Sequence, residues 1–172
     1  MKNKIFIVSF FILSAIIFLF VPLIEQFTIS DGNTNKTVYI GNIDDFRYFH
    51  IGFLHSVNRT PVNEFYKIDK NKFIAYKTTF YSYGAGMPDG SDNPDADITF
   101  KNGMVEINNI DRELNKFTYM VGTYADHTLY ADNTSFKLEK FIEPQQPAVF
   151  QIKRCSIFNI LRRNIQTWVI LT

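Results

Sequence analysis

Two periodicities divide this chain. From Ile5 to Ile24 every residue is apolar except Ser9 and Ser14, so the run has no polar face. From Phe27 onward it gives way to short alternating segments: FTIS, TVYI, FRYFHIGFLHSV, NEFYKI, KFIAYKTTFYS, MVEI, FTYMVG, HTLYA, SFKLEKF and AVFQIK. Polar turn sequences (DGNTNK, DKNK, NG, DN, EPQQP) separate them, and DKNK suits a hairpin between its two neighbours. Many short strands with regular turns predict an all-β fold, an antiparallel sandwich or partly closed barrel. After Lys153 the period becomes helical. Ile157, Phe158, Ile160, Leu161, Ile165, Trp168 and Val169 fall on one half of a helical wheel, with Cys155, Asn159, Arg162, Arg163 and Gln166 on the other. The expected boundaries are 1–25 for an N-terminal transmembrane helix, 26–152 for the β domain and 153–172 for a C-terminal amphipathic helix.

Twenty apolar residues wound as a helix reach about 30 Å, the thickness of a hydrocarbon core. Lys2 and Lys4 precede the run and Glu25 follows it, which orients the N-terminus toward the cytoplasm. The sequence FVPLIEQ offers no small-residue cleavage site and no lipobox cysteine, so an uncleaved signal anchor is expected rather than a removed signal peptide. The β domain then lies outside the membrane. The C-terminal helix is too short and interrupted to span, and is expected to lie in the interface with Arg162, Arg163 and Trp168 at headgroup depth.

Charge supports this division. The formal net charge is +1, yet all 17 acidic residues fall between Glu25 and Glu143, where 12 Lys and Arg leave 12 − 17 = −5. Basic ends around an acidic middle argue for membrane contact at the ends and against nucleic acid binding. With Cys155 as the single cysteine, no intrachain disulfide can form, and the β domain must rely on its core.

Strand parity supplies the candidate chemistry. In FRYFHIGFLHSV, Phe49, Ile51, Phe53, His55 and Val57 share one face, while His50 points the other way and reads as a solvated strand residue. Glu64 shares its face with Tyr66 and Ile68, and Ile74, Tyr76, Thr78, Phe80 and Ser82 lie together on the next strand. His127 has the parity of Val121 and Leu129. If the apolar face is the core face, then His55, Glu64, Thr78, Ser82 and His127 point inward, as a satisfied hydrogen-bond network or as the lining of a ligand pocket. A hydrolase would cast Ser56 or Ser82 as nucleophile, His55 or His127 as base and Glu64 as orienter. Ser56 and His55 are strand neighbours facing opposite ways, however, and no nucleophile elbow is present. His55, Glu64 and His127 lack the short spacings of a zinc site. No metal, cofactor or enzymatic activity is expected. Gly84 and Gly86 in YSYGAGMPDG mark a tight turn or a nest of N–H groups for an anion, and Asp89, Asp92, Asp95 and Asp97 read as a solvated acidic loop.

HSVNRTPVNEFY (His55 to Tyr66) and TTFYSYGAGMP (Thr78 to Pro88), with the later His127 and Leu129, resemble a bacterial domain-of-unknown-function family. Its members carry HSVxx[ST]PVxE and TxFxSxGAG motifs, and Asn58 stands here where relatives often carry an acidic residue. The resemblance implies a membrane-anchored or secreted protein associated with TAXI-type TRAP transporters. The expected function is a non-enzymatic accessory component of such a system, contacting the cell membrane and a TRAP-type permease subunit. The alternative is a module that binds or senses a small organic anion through the inward polar cluster and the GAG turn.

Overall fold

Pro22 sets the end of the first element. It has no N–H to donate and disfavours the helical region for Val21, so α1 (Lys2–Phe20) stops and the chain resumes as β1 (Ile24–Asp31). The expected helix through Ile24 is therefore shortened. Its apolar part, Ile5–Phe20, is 16 residues, or about 24 Å. Among the described residues, no helix is long and apolar enough to cross a membrane. The computed structural model describes residues 2–81, 95–132 and 134–162. The chain divides into two units, one of 27–152 and one formed by the two ends.

The larger unit contains two antiparallel sheets. Strands β2 (Thr37–Asn42), β1, β11 (Pro147–Cys155) and β8 (Lys116–Met120) form one sheet, in that order. The other runs β10 (Thr134–Lys137), β9 (Thr128–Ala131), β3 (Tyr48–Leu54), β4 (Pro61–Asp69), β5 (Lys72–Phe80), β7 (Met104–Leu114) and β6 (Asp97–Lys101). Neither sheet closes on itself, so of the two expected architectures the sandwich is the observed one. Aromatic rings join its layers. Phe117 of β8 stacks on Tyr66 of β4 at 4.5 Å and meets Phe73 of β5 at 5.0 Å, and Phe27 of β1 meets Phe49 of β3 at 5.4 Å. Such stacked and edge-to-face ring pairs add to the stabilisation from burial alone.

Turn chemistry sets the registers. Lys70 and Asn71 both have positive φ between the paired residues Asp69 and Lys72, as do Asn102 and Gly103 between Lys101 and Met104. Two consecutive left-handed residues match the strand twist in a tight hairpin. The first of these is the hairpin expected at DKNK. The strand β6 was not anticipated: Asp97, read as part of an acidic loop, begins it.

Two irregularities change which side chains face inward. Strand β3 ends at Leu54 rather than continuing through Val57, and residues 56–58 form a turn. In β5, Phe65 pairs with Lys77 but Tyr66 pairs with Ala75, which leaves Tyr76 as an extra residue in a bulge. Phe73 and Ala75 therefore share the core face with Thr78 and Phe80, whereas Ile74 and Tyr76 are displaced to the outer face.

In the smaller unit, Arg154 Nε donates to Glu25 Oε1 at 3.3 Å and the rings of Phe20 and Phe158 lie 4.8 Å apart. Lys153–Cys155 belong to β11, so the helical segment begins later than expected. Residues 157–162 are helical, and Ser156 Oγ accepts from the Asn159 N–H at the helix start. Arg162 is exposed, whereas Arg163 and Trp168 lie outside the described residues.

Candidate functional site

Cross-strand pairing assembles a polar cluster on the inner face of the larger sheet. Ile51 of β3 pairs with Glu64 of β4, and Glu64 pairs with Thr78 of β5. The Glu64 carboxylate is half-buried and Thr78 is buried. Tyr66 OH, two residues along on the same face, donates to Glu64 Oε2 at 2.9 Å. Tyr119 reaches across from β8 and its OH donates to the same oxygen, while the two phenol oxygens are 2.8 Å apart. One carboxylate oxygen is thus clasped by phenols from both layers. Burial first, and then the negative charge of Glu64, pushes both phenol pKa values well above the ordinary tyrosine value. Both phenols stay protonated and act as donors.

His127 continues the cluster. It is buried, stacks on Phe53 at 5.0 Å and lies 5.5 Å from the Tyr119 ring. The Gly122 N–H donates to its Nδ1 at 3.3 Å, which leaves the proton of the neutral ring on Nε2. Burial holds its pKa below the ordinary imidazole value, against a smaller opposing influence from Asp126.

The expected site is thus only partly assembled. Glu64, Thr78 and His127 face the core as parity required. His55 does not join them, because it follows the end of β3. Its Nδ1 accepts from the Val57 and Asn58 N–H groups at 3.3 Å each, so the ring caps the turn. Ser56 is exposed within that turn. Ser82, Gly84 and Gly86 lie outside the described residues, as do Asp89 and Asp92. Among the described residues no three His, Cys, Asp or Glu side chains group as a metal site. Tyr119 was missed, although its signal was present: a phenol sharing the apolar parity of Phe117 needs a partner for its hydroxyl.

The opposite face of the same sheet corrects a second reading. His50 is not a solvated strand residue. Its ring stacks between Phe65 at 4.9 Å and Tyr130 at 4.7 Å, and burial lowers its pKa. Gly52 makes room, since a Cβ there would sit 2.9 Å from Asn63 Oδ1 and 3.2 Å from the Tyr130 ring. Beside this stack lies a depression of about 260 Å³, open to solvent and lined by Tyr48, His50, Phe65, Tyr76, Tyr130 and Asp132 among others.

These features define a class, an antiparallel β-sandwich with a phenol–carboxylate clasp inside and an aromatic depression outside. Residues 49–138 match DUF1850, a domain of unknown function, and that stretch is 138 − 49 + 1 = 90 of the 172 residues. The chain belongs to this family. No curated protein and no solved structure matches it.

Proposed function

We propose that the chain is a non-enzymatic, membrane-attached module whose sandwich stands on the extracytoplasmic side as an accessory component of a TAXI-type TRAP transport system. The observation that carries membrane attachment is the exposure of α1 on every face, with Phe6 at 75%, Phe11 at 66% and Ile16 at 48%. A helix with no polar side leaves a large apolar area in water, and a lipid environment removes that cost.

The apolar helix is about 6 Å shorter than an average hydrocarbon core of about 30 Å. At that length α1 is read as an apolar attachment that enters the bilayer. The transporter assignment rests on the HSVNRTPVNEFY and TTFYSYGAGMP resemblance. A carboxylate oxygen held by two phenols fits a structural role for the inner cluster, which leaves the outer surface to make contacts.

Affinity purification of the full chain from membranes in a mild detergent, with a TRAP permease co-expressed, tests the assignment. Co-purification of the permease is expected. Recovery of the chain alone would overturn it.

A further inference from the structure

The depression on the outer face belongs neither to the inner cluster nor to α1, and its lining has a consistent chemistry. Two ring orientations bound it. His50 lies within 28° of parallel to Phe65 and within 11° of parallel to Tyr130, forming one wall. Tyr48 and Tyr76 meet at 88° with centroids 6.4 Å apart, and Tyr76 is inclined at 55° to Phe65. His50 is covered on both faces by Phe65 and Tyr130, so the ring surface left for a small guest comes from the tyrosines at the edge of this stack. The bulge in β5 is what brings Tyr76 to this face, and Tyr48 is 54% exposed beside it.

The polar groups of the lining have one electrical sense. Asp132 contributes a carboxylate, and Tyr48, Tyr76 and Tyr130 contribute phenol oxygens. His50, held below its ordinary pKa by burial, is neutral at pH 7 and adds no positive charge. Lys67, Lys72, Lys77 and Lys137 share the outer face and none lines the depression, although Lys137, paired with Asp126 Oδ1 at 2.8 Å, is near enough to interact with the Tyr130 phenol. Lys67 Nζ lies 3.8 Å from Asp111 Oδ1, and Lys77 Nζ is 3.1 Å from Glu106 Oε2 and 5.4 Å from the Phe65 ring centre. That last contact places one ammonium against this aromatic stack from outside the depression.

From this geometry we infer that the depression is a binding site for a small organic cation, an alkylated ammonium, held by the tyrosine rings and the Asp132 carboxylate. Ring quadrupoles attract a cation at their faces, and a nearby carboxylate adds a counter-charge that a neutral guest cannot use. The volume of about 260 Å³ sits just under the range of drug-sized pockets. It suits a guest of a few heavy atoms.

The test uses the full chain in an uncharged maltoside detergent, titrated calorimetrically with choline. In parallel it is titrated with 3,3-dimethylbutan-1-ol, which has the same shape without the charge. Saturable choline binding is expected, with the neutral isostere about tenfold weaker or worse. Asp132→Asn, an exposed substitution, weakens choline about tenfold and leaves thermal unfolding unchanged, while Tyr119→Phe in the inner cluster leaves choline affinity unchanged. Equal affinity for choline and its isostere, absence of saturable choline binding, or an unaltered choline affinity in Asp132→Asn would each overturn the site. None of these outcomes depends on the permease or on membrane attachment.

Discussion

Glu64 illustrates how one half-buried carboxylate organises its surroundings. Removing a phenol hydroxyl leaves Oε2 with one donor fewer in a half-dry site, which costs about 1–2 kcal/mol. Tyr119→Phe and Tyr66→Phe are each expected to lower stability by that amount in urea unfolding. The double variant should lose less than the sum, because the two hydroxyls also contact each other at 2.8 Å and either single change already removes that contact. Strict additivity would show that the two phenols act independently. The histidines carry the pH dependence. His50 and His127 have folded pKa values below the unfolded value, so the unfolded chain binds protons more readily. Stability is then full above the ordinary imidazole pKa of about 6.5 and falls as pH drops through it toward the folded values. His50→Phe keeps the ring stack and should reduce the acid-side slope of the melting temperature between about pH 7 and pH 5. An unchanged slope would exclude His50 as a contributor. Parity made Glu64 and Thr78 legible because both lie in the stretch where β4 and β5 pair regularly, to one side of the bulge. It misled at His55, where the strand had already ended, since nothing in FLHSV distinguishes strand from turn by hydrophobicity.

Elements were legible where turn residues mark their ends and obscure where the backbone departs from its period without a marker. The DKNK hairpin and the Asn102–Gly103 turn announce themselves through residues that tolerate left-handed backbone. The bulge at Tyr76 has no glycine and no proline, so KFIAYKTTF reads as unbroken alternation and Ile74 and Tyr76 are assigned to the wrong face. Deleting Tyr76 should remove the bulge and leave Ala75 and Thr78 on the core face in plain alternation, so the variant is expected to keep cooperative unfolding in calorimetry, and a loss of cooperativity would show that the bulge itself is needed. The strand β6 was hidden because its start is acidic and all of its residues are exposed. The sheet order is set by long-range pairings such as β3 with β9, which local sequence does not encode. Close packing inside the sandwich gives a sharper test. A Cβ on Gly41 would meet the Phe46 ring at 2.4 Å, so Gly41→Ala is expected to cost about 1–3 kcal/mol by chemical denaturation. Stability equal to the parent would mean that Phe46 can move aside.

For the molecule as a whole, the behaviour of α1 decides where the sandwich works. Replacing Ile12 and Ile16 together with lysine puts two charges at mid-helix, each costing about 2.5–3.5 kcal/mol for insertion. The double variant is expected in the supernatant after alkaline washing of membranes, with the parent chain in the pellet. A parent chain released by the same wash would rule out α1 as an anchor. Both chain ends enter the sandwich through neighbouring strands of one sheet. The Gly32 N–H donates to Pro147 O and Thr28 Oγ1 donates to Gln151 O, an antiparallel register in which the start of β1 lies beside the end of β11. Tension applied at the two chain ends would therefore peel these strands apart one rung at a time instead of shearing all rungs at once. The sandwich is mechanically soft along that single direction.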